Sequence, residues 1–241
     1  MNALMLPGQA AAPDGPVDMS GMYVMHHAFR RDLADFAGAA SMTPLDAGTT
    51  WTRLDRRWHR FSEELHTHHS KEDDILWPLL EERAIAAGDI KALTVLADME
   101  AEHATIDPVL ERCTAAFATM AKQASDAGRS ELGKAISAAR DSLGQHLDHE
   151  ERSAVAIAQR HLGAEEWAVI EREKFRGKPS PAVAAFMIPW MAKGLPSDVV
   201  TRMRKQSGLV FSLLLRANRG RFMAAETATF LYAAQKPDER R

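Results

Sequence analysis

The feature that most constrains this chain is one spacing that occurs twice, far apart in the sequence. His68 and Glu72 are four residues apart, and His146 and Glu150 repeat that separation downstream. Residues four apart in an α-helix lie one turn from each other on the same face. An imidazole and a carboxylate placed in this way offer half of a transition-metal site. Two such pairs directed at one interior predict a site for two metal ions bridged by the carboxylates.

Apolar residues recur at helical spacing through most of the first 163 residues, which predicts four long helices. The predicted helices cover about residues 20–40, 51–86, 90–125 and 130–161. Pro78 is expected to kink the second helix, and Pro108 is expected to disturb the third. Long helices joined by short turns predict an all-α, up-down-up-down four-helix bundle at residues 18–163.

Each predicted helix carries a histidine at a position where the apolar stripe continues on both sides. These histidines are His26, His68, His103 and His146. The rise of an α-helix places them at similar depth in a bundle, although the match is looser for the last helix. His27 is rotated by about 100° from His26, and the register with Met22 and Phe29 favours His26. Burying Glu72 and Glu150 beside these histidines without cations would be very costly.

Two further pairs have the same His-x3-acid spacing, His59/Glu63 and His69/Asp73. Both lie on the second helix but off the His68 stripe, so we expect them in solvent or around the metal ligands. Two Glu-x-x-His matches, Glu63–His66 and Glu100–His103, fit the spacing of a ferritin-like carboxylate oxidase. Glu63 and His66 point away from the His68 stripe, so this class is the lesser alternative.

Composition excludes several other classes. The chain has 241 residues, 46% of them hydrophobic, and a net charge of -3, so it has no bias toward nucleic acid. The lone Cys113 excludes an intramolecular disulfide. There is no signal-peptide pattern and no apolar run of about 18 residues, so we expect a cytoplasmic protein without a membrane partner. Residues 1–17, rich in Pro, Gly and Ala, are expected to form a flexible tail.

Residues 164–241 differ from the bundle, because shorter helical stretches alternate with Pro and Gly. They predict a C-terminal helical extension, basic beyond Val199. The favoured interpretation is a cap on the bundle, anchored by Pro189 and Trp190, or a homodimer contact. The alternative is an output surface through which a sensor signals.

Four segments together resemble the hemerythrin-like family of HHE cation-binding bundles, over about residues 18–162. They are HHAFRRDL from His26, HHSKEDDILWP from His68, the pair Glu102-His103, and HLDHEER from His146. The resemblance implies a non-haem diiron centre, with two irons per chain joined by an oxo or hydroxo bridge. His26, His68, His103 and His146 would be the terminal ligands, and Glu72 and Glu150 would bridge the irons.

Some positions stay open within this resemblance. The family's oxygen carriers have a further histidine where this chain has Asp107, followed by Pro108. Either Asp107 ligates iron or, as we slightly favour, that iron keeps an open position or a water-mediated ligand. Tyr23, near His26, is a second possible ligand, although a core tyrosine is favoured. Glu151 could replace Glu150, but the four-residue spacing favours Glu150.

A histidine-rich diiron centre predicts a small ligand: O2, hydrogen peroxide or nitric oxide. Fewer histidines than in a reversible carrier favour a reactive or sensing centre over an oxygen store. In the reactive version, an enzyme that decomposes peroxide, His149 or Asp107 would handle protons. A non-enzymatic sensor or carrier is the main alternative.

Overall fold

The structure is a computed structural model that describes residues 4–177 and 179–233. Residues 1–3 of the predicted tail and residues 234–241 of the predicted extension lie outside the described residues. Within the described ranges, every regular element is helical. The α-helices are α1 Ser20–Met42, α2 Gly48–Lys71, α3 Trp77–Ala87, α4 Ile90–Lys122, α5 Asp126–His149, α6 Val155–His161, α7 Ala164–Ile170, α8 Pro181–Ala192 and α9 Ser197–Thr229. Three π-helical turns follow α2, α5 and α7, namely Glu72–Leu76, Glu150–Ala154 and Glu171–Arg176.

Four long helices pack side by side around a shared interior. Helix α2 contacts α4, α4 contacts α5, α5 contacts α1, and α1 contacts α2. The all-α prediction is therefore confirmed for the described residues. Helix α4 continues through Pro108, which is exposed and removes only one backbone donor from the helix. Among the described residues, no helix is both long and apolar enough to cross a membrane.

The interior contains two apolar clusters with a polar layer between them. One cluster includes Phe29, Leu65 and Ile106, and the other includes Tyr23, Leu76 and Met99. Along each of the four long helical stretches, the chain passes from one cluster to the other at a buried histidine. The hydrophobic cores thus fix the depth of the polar layer, because each stretch must bury its apolar stripe on both sides of the histidine.

Both carboxylates of the repeated pairs stand at the start of a π-helical turn. The N–H of Trp77 donates to the carbonyl of Glu72, and the N–H of Val155 donates to the carbonyl of Glu150. Pro78 follows the first π turn, so the expected irregularity is present, but no proline follows the second. The feature common to both turns is the glutamate, and π turns within α-helices occur frequently at functional sites.

Residues 4–17, which we call the N-terminal strap, lie against the bundle instead of extending from it. Leu4, Leu6 and Val17 are buried in the apolar cluster that contains Tyr23. The Val17 amide also donates to the Gln159 side chain at 2.8 Å. The sequence predicted a flexible tail here from its composition. Its three buried apolar side chains pack on the bundle, and the Pro, Gly and Ala content of the segment gave no indication of this packing.

The C-terminal extension packs on α1 through the buried Trp190 of α8. The Trp190 indole N–H donates to the buried Asp32 carboxylate at 2.7 Å. Arg31 donates to the backbone carbonyls of Trp190 and Lys193, at 3.0 and 2.6 Å. Trp190 thus occupies the anchoring position that the sequence suggested.

A second set of contacts ties α9 to the bundle. The buried Glu226 accepts from Arg57 at 2.7 Å and from Lys193 at 2.8 Å, and Arg57 also pairs with Asp32. Helix α9 is interrupted at Gly208, whose φ of +76° is one that a side chain would disfavour. Residues 204–210 around that break are exposed, whereas Val199 before it and Phe211 and Leu215 after it are buried, so α9 is attached on both sides of the break.

Candidate metal centre

Seven buried side chains in the polar layer form two adjoining groups of potential metal ligands. The first group is His26, His68, Glu72 and Glu150, and the second is His69, His103 and His146. Within each group, one ligand atom from every residue lies within 4.8 Å of the others. This compactness matches what a metal ion requires of its donors, and the donor set of imidazoles and carboxylates suits a first-row transition metal.

In the first group, two imidazoles face two carboxylates. His68 Nε2 lies 3.1 Å from Glu72 Oε1, and His26 Nε2 lies 3.1 Å from Glu150 Oε2. Among the described residues, none of these atoms has a hydrogen-bond partner, and neither do the second oxygens of Glu72 and Glu150. Buried carboxylate oxygens without partners are strongly unfavourable. Two imidazole nitrogens facing four buried carboxylate oxygens are suitable ligands for a cation, so the residues fit a metal ion.

The second group is built from imidazoles alone. The rings of His69 and His103 stack with their centroids 4.0 Å apart, and the Nε2 atoms of His103 and His146 are 3.1 Å apart. Neither ring nitrogen of the buried His69 has a hydrogen-bond partner. Glu72 Oε2 lies 3.7 Å from His103 Nε2, so the two oxygens of Glu72 face different groups.

Three of the histidines are oriented by carboxylates behind them. Through Nδ1, His26 donates to Glu151 at 2.9 Å, His103 to Asp73 at 2.7 Å, and His146 to Glu102 at 2.8 Å. Such a bond fixes the tautomer and the direction of the ring, leaving the lone pair of Nε2 free to ligate a metal. All three Nε2 atoms belong to the cluster interior.

Burial and mutual repulsion set the protonation of the metal-free cluster. Burial raises the pKa of Glu72 well above its ordinary value, and the neighbouring Glu150 raises it further. Burial would also raise the pKa of Glu150, but the adjacent His26 lowers it instead. Burial opposes the protonation of His26, yet Glu150 and Glu151 together raise its pKa to about 9. Burial therefore favours the neutral form of Glu72, whereas the pairing of Glu150 with His26 favours the charged form of both groups.

The structure brings six of the predicted ligands together: His26, His68, Glu72, His103, His146 and Glu150. His27, half-buried, is outside both groups, and its Nδ1 lies 3.4 Å from the Pro7 carbonyl. Glu151 is buried but lies outside both groups, where its carboxylate accepts hydrogen bonds from His26 and Arg30. His59 is exposed, as expected for a position off the stripe.

Asp107 is not part of the cluster, which disagrees with the option that it ligates iron and agrees with the slightly favoured one that it does not. It is exposed on α4 and belongs to neither group. Its neighbours Ile106 and Leu110 occupy the buried face, which leaves Asp107 at the solvent edge of the helix. Tyr23 is buried in an apolar cluster and belongs to neither group either. The core interpretation of Tyr23 therefore agrees with its position.

His149 lies beside the cluster and partly in solvent. Its Nδ1 donates to Glu102 Oε1 at 2.8 Å, while Glu102 Oε2 accepts from His146. The side chains of His149 and Glu102 are 32% and 33% exposed. Glu102 thus connects a buried candidate ligand to a solvent-accessible imidazole.

His69 is a candidate ligand that sequence reasoning did not place among the ligands. It was expected in solvent or around the ligands, because it is rotated by about 100° from His68. The structure buries it against His103 and His146 instead. Helix α2 packs against both α1 and α4, so two of its faces point inward, and adjacent residues reach different groups. The adjacent pair His68-His69 was the available signal.

The Glu-x-x-His matches do not reach the interior. Glu63, His66 and Glu100 are all exposed, and only His103 is buried. The ferritin-like arrangement requires both carboxylates among the ligands. The structure therefore excludes it for these pairs.

A protein-family model described as the hemerythrin HHE cation binding domain matches residues 19–158. Comparison with curated proteins and with solved structures found no match. The matched range contains all seven side chains of the two groups.

Proposed function

The chain belongs to the hemerythrin HHE cation-binding domain family, and on that premise we propose that its buried cluster holds two iron ions per chain. The observation that carries this proposal is the pair Glu72 and Glu150, whose four carboxylate oxygens are buried without hydrogen-bond partners. Glu72 presents one oxygen to each ligand group. This placement supports a bridging role for it, and Glu150 would complete the pair.

The histidines would be shared unequally between the two irons. His26 and His68 would hold one iron, His69, His103 and His146 would hold the other, and Glu72 and Glu150 would contribute to both. Iron would supply the site with electrons and Lewis acidity for a small molecule such as O2, hydrogen peroxide or nitric oxide. The side chains around it orient the imidazoles and exclude bulk water, because every candidate ligand is at most 7% exposed.

The arrangement of the helices supports the same family fold. We propose the up-down-up-down order, since the connections after α1, α3 and α4 are short and the helices they join pack against each other. In that order, each pair of neighbouring helices would run antiparallel.

The histidine count no longer argues against a reversible carrier. With His69 included, the cluster contains five histidines, which is the number implied for the family's oxygen carriers. The choice therefore depends on the surroundings of the ligands. Glu102 links His146 Nδ1 to the partly exposed His149. This hydrogen-bonded path can move a proton between solvent and the cluster edge. We therefore favour peroxide decomposition over oxygen carriage.

A sensor is the second candidate, and one contact supports it. The Phe29 ring lies 5.3 Å from the ring of His68 and 5.5 Å from that of Trp190. A shift of His68 would therefore displace Phe29, and Phe29 would in turn displace Trp190 of the C-terminal extension. In this version, the extension reports the state of the metal centre.

The experiment that tests the proposal measures iron content and then reactivity. The purified protein should contain about two irons per chain and absorb in the near ultraviolet through ligand-to-metal charge transfer. The reduced protein is then mixed with O2 and the oxidised protein with peroxide. Sustained gas evolution from peroxide supports the enzyme, whereas a reversible O2 spectrum without turnover supports a carrier or sensor. A chain that stays free of iron, with stability that a chelator does not change, contradicts the metal centre itself.

A further inference from the structure

The N-terminal strap makes a direct contact with the outer layer of the candidate metal centre. The Ala10 amide donates to Glu151 Oε2 at 2.6 Å. Glu151 Oε1 in turn accepts from His26 Nδ1 at 2.9 Å. One continuous series of hydrogen bonds therefore runs from the strap backbone to a candidate ligand. The strap is 141 positions away from Glu151 in sequence, so this contact is tertiary.

The conformation that presents the Ala10 amide is held by Gln9. The Gln9 side chain accepts from the Leu6 amide at 2.9 Å and donates to the carbonyls of Leu4 and Ala11, at 2.9 and 2.7 Å. These three bonds close the strap into a compact turn. Leu4 and Leu6 then fix that turn on the bundle, because both are buried. The Ala10 donor is thus held in place from both sides.

Glu151 is fully buried, and the strap contributes to its burial. The carboxylate of Glu151 accepts from His26, from Arg30 and from the strap amide, and its side chain is 0% exposed. The strap also covers Arg30, since a Cβ built on Gly8 would lie 3.6 Å from the Arg30 side chain. Removing the strap contact would leave Glu151 Oε2 with the longer bond from Arg30, at 3.2 Å, and would expose this end of the cluster to water.

We propose that the N-terminal strap closes the His26 end of the metal centre, and that Gln9 and Glu151 are positioning residues for His26. This inference rests on the proposed iron site and goes beyond it, because it assigns control over metal retention and small-molecule access to a segment without ligands. A hydrogen-bond partner behind a ligating imidazole typically affects metal affinity 10–100-fold. The strap supplies that effect through Glu151.

The test compares Gln9→Ala with Gln159→Ala. Gln159 also holds the strap through two hydrogen bonds, to the amide and the carbonyl of Val17, but it makes no contact with Glu151 among those described. Both variants lose strap hydrogen bonds, so both should lose stability by similar amounts. Glu151→Gln provides an independent variant that leaves the strap sequence intact.

The measurements are the rate at which EDTA removes iron from the loaded protein and the rate at which azide changes its charge-transfer absorption. We expect Gln9→Ala and Glu151→Gln to accelerate iron removal roughly tenfold or more, with faster azide binding in Gln9→Ala. Gln159→Ala should stay close to the wild type in both rates. Equal rates in wild type and Gln9→Ala, or equal acceleration in Gln9→Ala and Gln159→Ala, would overturn the inference. A wild-type chain that binds no iron would instead overturn the proposed function, and the inference with it.

Discussion

The Nε2 atoms of His103 and His146 face each other at 3.1 Å, although each ring already donates through Nδ1 to a carboxylate. In that tautomer both Nε2 atoms carry lone pairs, and neither has a proton to offer the other. Two lone pairs directed at each other repel unless a cation lies between them. The carboxylates of Asp73 and Glu102 thus orient the two rings as metal ligands would need, and the stacked His69 would supply a third nitrogen ligand.

The assignment of His69 leads to a stoichiometric prediction. His69→Ala should reduce the iron content from about two per chain to about one, because the group formed by His26, His68 and the glutamates stays intact. Elemental analysis of the purified protein measures this. His59→Ala, on the exposed face of the same helix, is the matched control and should keep both irons. Full iron content in His69→Ala would remove His69 from the ligand set.

The raised pKa of Glu72 leads to a prediction about the metal-free protein. Because the folded state holds a proton that the unfolded chain releases, the stabilisation from Glu72 is full below pH 4.5 and is lost as pH rises through the folded pKa. Glu72→Gln is neutral throughout, so the variant should gain stability relative to the wild type as pH rises. Urea unfolding at several pH values, with chelator present, measures the difference.

With iron bound, the wild type should instead be more stable than Glu72→Gln, because a glutamine cannot neutralise the charge of a metal ion. The wild type should gain stability on loading, while Glu72→Gln should gain much less. A difference between the two metal-free proteins that does not vary with pH would contradict the raised pKa.

Asp73 provides a test of the carboxylates behind the ligands. Asp73→Asn should weaken iron binding about 10–100-fold, since the amide is a poorer acceptor for His103 Nδ1. Competition with a chelator of known affinity measures the change. Asp74→Asn is the matched control, because Asp74 is adjacent and exposed. Equal affinities in the two variants would show that Asp73 does not support His103.

The attachment of the C-terminal extension depends on Asp32. Burial opposes the charge of Asp32, but Arg57 and Arg31 lower its pKa below the ordinary value, so its stabilisation is lost as pH falls. Asp32→Asn leaves Arg57 paired with Glu226, so the cost should lie near the lower end of the ~3–5 kcal/mol expected for breaking a buried pair. Urea unfolding at neutral pH measures this cost.

Asp35→Asn serves as the control for that measurement. Asp35 pairs with Lys193 at 2.8 Å, but its side chain is 33% exposed. The free energy of unfolding should fall by no more than about 1 kcal/mol. Similar losses in Asp32→Asn and Asp35→Asn would mean that the buried network does not hold the extension.

The sequence was most informative where helical periodicity and chemistry coincide. His68 and Glu72 share a face because the helix repeats every 3.6 residues, and that geometry needs no tertiary information. The same holds for the burial of His103 and His146, which interrupt apolar stripes. Asp107 shows the limit of this reasoning, since four-residue spacing from His103 placed it near the buried face, yet that face continues through Ile106 and Leu110 and leaves Asp107 exposed.

The sequence by itself determined four helical stretches, two His-x3-Glu pairs and their common depth, because these depend on contacts within one helix and on the hydrophobic effect. Only the tertiary structure decided what depends on neighbouring elements. Helix α2 presents two inward faces because α1 and α4 both pack on it, so His69 joins the cluster. The N-terminal strap lies over Glu151 because its buried leucines find a complementary surface on the bundle. Periodicity along a single helix does not reveal which helices pack on α2 or which surface the N-terminal strap covers.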